Sequence, residues 1–186
     1  MSRSSIPQRR RIFLGCEGDS ERGYGALLRE LLEERRRDVH LDVVLLRPGG
    51  GDPLVLVERA QEFIRRGERA GAPRYVHKAL LLDDDLRGAD ARRDRQAERL
   101  ASQIDLHFIW QTPCHEAFLL RHLQNCDQLR PLTNADARRR LIKAWTGYEK
   151  GLPASRLAQR ITASEVERAS AVEQDLLVFL QAIGFL

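Results

Sequence analysis

Apolar segments of strand length alternate with segments of helical pattern four times before residue 126. The apolar segments are short and rich in leucine, isoleucine and valine, so we expect strands that are covered on both faces. Such alternation is typical of βαβ units, whose strands pair in parallel through right-handed crossovers. The sequence therefore predicts an α/β fold in which helices flank a mainly parallel, four-stranded sheet. The predicted strands are residues 11–16, 41–46, 75–82 and 106–110.

The composition changes after Cys126, where strand-like segments give way to helix and loop. We therefore divide the chain into a flexible tail (1–10), an α/β core (11–126) and a helical region (127–186). The chain length of 186 residues is typical of a single domain. We expect the helical region to pack on the core within that one domain.

Three helices are predicted beyond the fourth strand. The pattern indicates helices over residues 134–145 and 164–184, the second opened by a capping box between Ser164 and Glu167. Thr112 is the expected N-cap of an earlier helix, because a proline suited to the first helical position follows it.

The charge composition restricts the function only loosely. There are 31 basic and 27 acidic residues, and only Lys78, Lys143 and Lys150 of the basic residues are lysines. Codon bias explains this enrichment in arginine, and so does contact with phosphate, which the guanidinium group fits well. The three cysteines form no disulfide framework, and no segment reaches the length of a signal peptide or a membrane span. We expect a cytoplasmic protein without membrane contact.

Carboxylates follow two of the predicted strands at the point where each strand ends. Glu17 comes directly after the first strand and precedes Gly18, whereas Asp83 and Asp85 follow the third strand. Parallel strands open their carboxyl ends on one edge of the sheet, where ligands bind. Alternation along an extended chain would point Asp83 and Asp85 the same way. The pattern predicts a site for Mg²⁺ or Mn²⁺, with Glu116 as a further member. The alternative is a set of ordinary surface carboxylates.

Other motifs carry weaker signals. His115, beside Glu116, is a candidate acid, base or phosphate ligand, and Lys150 is either a phosphate ligand or a solvated loop lysine. The glycines at 49–51 lack the Gly-Lys-Ser/Thr ending of a P-loop, so we expect a turn rather than an ATP site.

Four segments in order resemble the RloB family, whose core is similar to the TOPRIM domain of topoisomerases, primases and OLD-type nucleases. The first two are the Cys-Glu-Gly-x-x-Glu opening and an acidic strand end. The other two are a segment similar to Asn-Pro-Cys-Phe-Glu-x-Trp-Leu-Leu-x-His and a Tyr-x-Lys signature. In this chain they are residues 16–21, 82–85, 112–122 and 148–151. Thr112, His115 and Phe118 depart from the family's Asn, Phe and Trp, and no carboxylate is lost.

The resemblance implies a TOPRIM-like core with a metal-dependent site that acts on phosphodiesters. Glu17 would be a metal ligand or general base, and Asp83 and Asp85 would hold Mg²⁺. Gly18, His115 and Lys150 are candidate substrate or phosphate contacts. The resemblance also implies a partner ATPase, a nucleic-acid substrate and a role in restriction or anti-phage defence.

Two other functions fit the same pattern. One is a non-catalytic binding subunit that docks an ATPase or nucleic acid, and the other is a nucleotide-binding or nucleotidyl-transfer module. The oligomeric state is also open, because the apolar face of the last helix suits either a core or an interface between copies of the chain.

Overall fold

A parallel four-stranded sheet forms the centre of the molecule. The computed structural model describes residues 9–36, 38–46, 52–85 and 87–186. The strands pair in the order β2-β1-β3-β4, and all three pairings are parallel, which confirms the predicted α/β fold. The first eight residues of the predicted tail and the glycines at 49–51 lie outside the described residues. The strands are β1 (Arg10–Cys16), β2 (Val39–Leu45), β3 (Tyr75–Asp83) and β4 (Leu106–Gln111).

Helices cover both faces of this sheet. Helices α2 and α3 pack on one face, where their apolar side chains meet Phe13, Leu80 and Leu82. Helix α1 and the helices from α4 onward pack on the other face, around Leu14 and Leu81. The helices are α1 (Asp19–Arg35), α2 (Pro53–Arg69), α3 (Ala91–Gln103), α4 (His115–His122), α5 (Asn134–Ala144), α6 (Ala154–Leu157), α7 (Ala163–Ser170) and α8 (Gln174–Ile183).

The strands are rich in apolar residues because helices cover both faces of the sheet. The central strands β1 and β3 are buried over residues 12–16 and 79–82. Within the described residues, no helix is long and apolar enough to cross a lipid bilayer.

The predicted helix over residues 164–184 is wrong in one respect, because two helices, α7 and α8, occupy this segment. The capping box is also shifted, since Glu165 accepts hydrogen bonds from the backbone and hydroxyl of Thr162. The break between the helices places Glu173 against the guanidinium of Arg121, a buried side chain of α4. This tertiary ion pair has no local signal in the sequence.

The predicted cap at Thr112 is also wrong. Helix α4 begins at His115 with Cys114 as its N-cap, and the peptide bond between Thr112 and Pro113 is cis. The Thr112 hydroxyl donates to Asp84 Oδ2 (3.0 Å) and its carbonyl accepts from Arg121, so Thr112 links β3 to α4 instead of capping a helix.

A close backbone contact joins the helical region to α1. A Cβ atom placed on Gly23 would overlap the carbonyl oxygen of Leu152. Beside it, the Gly151 N–H donates to Ser20 Oγ (3.1 Å). These two contacts hold the loop before α6 against the first turns of α1, at the carboxyl edge of the sheet.

We predict that Gly23→Ala destabilises the protein, although alanine favours a helix. The added methyl would overlap the Leu152 carbonyl and displace the loop, which we expect to cost more than the roughly 1 kcal/mol of helix propensity that alanine gains. Urea unfolding measures the effect.

Gly67→Ala is the matched control for this prediction. Gly67 lies inside α2, and a Cβ there meets only Ala72 Cβ at 3.9 Å, so stability should rise by about 0.4–1 kcal/mol. Equal gains in both variants would contradict the contact between Gly23 and Leu152.

Candidate functional site

The structure brings Glu17 and Asp83 together at the carboxyl edge of the sheet. The pairing of β1 with β3 aligns Cys16 with Leu81, so that the next residues of both strands reach the edge side by side. The Asp83 N–H donates to Glu17 Oε2 (3.2 Å), which directs the Glu17 side chain across the end of β3.

The carboxylate of Asp83 is held in an unfavourable environment. Its Oδ1 atom is buried and has no hydrogen-bond partner among the described residues. Burial, followed by the negative charges of Glu21, Glu17 and Asp85, raises the pKa of Asp83 to about 8. Burial also raises the pKa of Glu17, against the opposing effects of the Asp83 N–H and the Lys150 charge.

Asp85 lies on the rim of this site. Strand β3 ends at Asp83, so the alternation that was expected to align Asp83 with Asp85 stops there. The Asp85 side chain is exposed and accepts from Asn134 Nδ2 (3.4 Å). Its negative charge nevertheless raises the pKa of both Glu17 and Asp83, so it contributes to the acidic field.

Glu21 is the site residue that the sequence prediction missed. It is 6% exposed, and its Oε2 atom accepts the Gly18 N–H at 3.0 Å. Burial raises the pKa of Glu21, and the nearby Glu116 adds to the shift. The Glu-Gly-x-x-Glu spacing contains the signal, but the predicted metal site does not include Glu21.

Glycine fits at position 18 because it has no side chain, and not because of its backbone conformation. Its φ of −136° is an extended conformation that any residue adopts. A Cβ atom on Gly18, however, would lie 2.9 Å from Glu21 Oε2. A glycine therefore lets the Glu21 carboxylate fold back onto the start of α1.

Helix α4 supplies a buried histidine and a buried carboxylate behind Glu21. His115 is 2% exposed, and burial lowers its pKa to about 4, so the imidazole is neutral. With the Gln111 amide oriented to donate, Gln111 Nε2 lies 2.8 Å from His115 Nδ1, which then accepts. The 3.5 Å contact between His115 Nδ1 and Glu21 Oε1 is consequently not an ion pair. Glu116 is 7% exposed and lies near enough to influence Glu21.

A second histidine fastens α4 to α1. His122 Nδ1 lies 2.9 Å from the Phe118 carbonyl and its Nε2 lies 2.9 Å from the Tyr24 hydroxyl. Burial lowers the pKa of His122 to about 3, so the ring is neutral; Nδ1–H donates to the carbonyl and Nε2 accepts from tyrosine. The placement of His115 and Glu116 depends on this contact.

Lys150 brings positive charge to the cleft in front of the carboxylates. Its ammonium group is exposed, and its charge lowers the pKa of Glu17 and Glu21 against the raising effect of burial. No lysine or arginine in the described ranges forms an ion pair with Glu17, Asp83 or Glu116. The cleft has a volume of about 500 Å³ and is lined by Glu17, Gly18, Asp19, Ser20, Glu21, Asp83, Lys150 and Gly151.

The donor chemistry of this cleft fits a hard divalent cation. Its side chains offer carboxylate oxygens, and one of them, Asp83 Oδ1, is buried without a partner. No three histidine, cysteine, aspartate or glutamate side chains in the described ranges are placed to hold a metal together. Mg²⁺ commonly uses one or two carboxylates and keeps several waters, so an ion in this cleft would have Glu17 and Asp83 as its protein ligands.

Comparison with protein-family models, with curated proteins and with solved structures gives no match for this chain. The function must consequently be inferred from the geometry of the site and from the sequence motifs.

We predict that Asp83→Asn stabilises the metal-free protein at pH 8. Because the raised pKa makes folded Asp83 hold its proton longer than the unfolded chain does, its contribution to stability is complete below pH 3.8. That contribution is lost as the pH rises through about 8. Asparagine cannot ionise, so the variant should gain more than about 1.4 kcal/mol at pH 8, the equivalent of one pKa unit.

Urea unfolding at pH 4.5 and pH 8, with a chelator present, measures this difference. The gain should shrink toward the lower pH. Glu30→Gln, which changes an exposed carboxylate of α1, is the control and should stay within about 0.5 kcal/mol of the native protein. A destabilised Asp83→Asn at pH 8 would contradict the electrostatic description of the site.

Proposed function

We propose that the protein is a Mg²⁺-dependent phosphodiesterase of TOPRIM type that hydrolyses nucleic acid. The observation that carries the proposal is the pairing of Glu17 with Asp83 at an open sheet edge, where one buried Asp83 oxygen lacks a partner. Proteins rarely keep such repelling carboxylates unless a cation or a reaction uses them. The ordered resemblance to the RloB family supports the same conclusion.

Each side chain of the site has a distinct role in this proposal. Asp83 and Glu17 would hold Mg²⁺, with Asp85 adding negative charge from the rim. When bound, the ion would stabilise charge on the phosphate and lower the pKa of a water. The raised pKa of Glu17 also suits a general base, because it brings the carboxylate closer to neutral pH.

The remaining residues of the site bind the substrate or position other side chains. Lys150 faces the cleft and would contact a phosphate oxygen of the substrate. His115 is buried against Gln111 and Glu21, so we assign it the positioning of Glu21 rather than the phosphate contact that the sequence suggested. Glu116 lies behind Glu21 and adds to the field that favours a cation.

We extend the proposal to the biological setting that the RloB resemblance implies. The protein would act in the cytoplasm as the nuclease component of an anti-phage defence system, together with a partner ATPase. The lack of a P-loop in this chain is consistent with nucleotide hydrolysis by a separate protein.

We predict that Glu17→Gln and Asp83→Asn each reduce metal-dependent cleavage by at least about 100-fold, the effect of losing a general base or a metal ligand. Gel assays with plasmid and single-stranded substrates in Mg²⁺ or Mn²⁺ measure activity, and calorimetric Mn²⁺ titration measures metal binding. Asp83→Asn should lose Mn²⁺ binding, whereas Glu30→Gln should retain both properties.

Lys150 offers a second comparison within the same assay. Lys150→Gln should raise the KM for substrate, whereas Lys143→Gln, which changes an exposed lysine on α5, should not. Full cleavage by Glu17→Gln would overturn the assigned roles. Nucleic-acid binding without cleavage under any metal would favour the non-catalytic binding subunit.

A further inference from the structure

A groove extends from the acidic cleft along the outer side of α1. Its volume is about 310 Å³, and Asp19 and Gly151 line both the groove and the cleft, so the two spaces are contiguous. Helix α1 forms one side of the groove, and the segment before α6 forms the other with Leu152 and Pro153.

Two arginines stand along the α1 side of this groove. Arg22 and Arg29 are seven residues apart, which puts them on one side of the helix and about 10 Å apart along its axis. That distance corresponds to about three nucleotide steps at a rise of roughly 3.4 Å per nucleotide. The two guanidinium groups can therefore contact two non-adjacent phosphates of one strand.

Both guanidinium groups are available to an anion. Arg29 forms no hydrogen bond or ion pair with any described residue. Arg22 pairs with Asp19 at 2.8 Å, but both side chains are more than half exposed. Such surface pairs contribute little to stability, so a phosphate can replace the aspartate at small cost.

The floor of the groove consists of uncharged residues. It contains the small or apolar residues Gly23, Ala26 and Val43. Paired bases of a duplex are hidden inside the helix, whereas the unpaired bases and sugars of a single strand can cover apolar surface. The combination of cationic side and apolar floor favours a single strand over a duplex.

We infer that this groove binds single-stranded nucleic acid and leads its backbone to the carboxylates. The inference rests on the proposed function, because it assigns the groove to the substrate of the same site. Phosphates on one side of the scissile bond lie along Arg22 and Arg29, and Lys150 contacts the phosphate that enters the cleft.

The test measures binding without cleavage. Fluorescence anisotropy of labelled oligothymidylate and oligouridylate in a chelator gives affinity as a function of salt, for DNA and RNA separately. Loss of both arginines, in Arg22→Gln/Arg29→Gln, should reduce the magnitude of the salt slope by about 1.4, or about 0.7 per phosphate contact. Arg29→Lys should keep the slope, and Asp19→Asn should raise the affinity.

Arg65→Gln is the matched control, since Arg65 is an exposed arginine of α2 on the opposite face of the sheet. It should leave the slope unchanged, and thermal unfolding confirms that every variant is folded. The inference is overturned if the native protein fails to bind single strands, or if the double variant binds them like the native protein. Binding of a duplex as tightly as of the single strand overturns it as well.

These outcomes separate the groove from the chemistry. Glu17→Gln should abolish cleavage while single-strand binding and its salt slope persist. If cleavage is absent under every metal but the arginine variants still weaken binding, the groove stands and the catalytic proposal fails. If cleavage depends on Glu17 but the arginine variants bind normally, the catalytic proposal stands and the groove is wrong.

Discussion

The parallel pairing of β1 with β3 is the constraint on which the site depends. It aligns Cys16 with Leu81, so the residues that follow both strands emerge at the same edge. The backbone N–H of Asp83 then donates to the Glu17 carboxylate and fixes its direction. Without that pairing, the two acidic segments would be unrelated surface loops. Because both strands are buried by helices on both faces, their register is strongly specified.

The site is maintained against an electrostatic cost. Burial is the main cause of the raised pKa values of Glu17, Glu21 and Asp83, and the charge of Lys150 opposes the shifts of both glutamates. A protein under selection for stability alone would replace or pair such groups. A cation bound to the cleft would reverse this cost, since neutralising the carboxylates removes both their repulsion and the unpartnered oxygen. Stability and proposed activity thus oppose each other at Asp83.

The helical region completes the site rather than only covering the core. The contact of Gly23 with the Leu152 carbonyl, together with the hydrogen bond from Gly151 to Ser20, places Lys150 at the cleft. The same contact forms the corner where the cleft meets the arginine-lined groove along α1. Because Gly23 has no side chain, the loop that contains Leu152 can approach α1. This approach places Lys150 at the cleft, forms part of the groove and joins two segments that are far apart in the chain.

The apolar periodicity of the sequence was sufficient to predict the four strands and their parallel pairing, because both depend on local patterns and on the chirality of the crossovers. The ends of the first and third strands also indicated that Glu17 and Asp83 lie at one edge, whereas Asp85 lies on the rim. Local sequence patterns gave wrong predictions where a contact with a residue distant in the chain determined the structure. Thr112 hydrogen-bonds to Asp84 instead of capping a helix, and the last helix is interrupted where Glu173 meets Arg121. Only the tertiary structure placed Glu21 in the site and Lys150 in front of it, since their burial and proximity arise from packing between segments that the sequence alone does not connect.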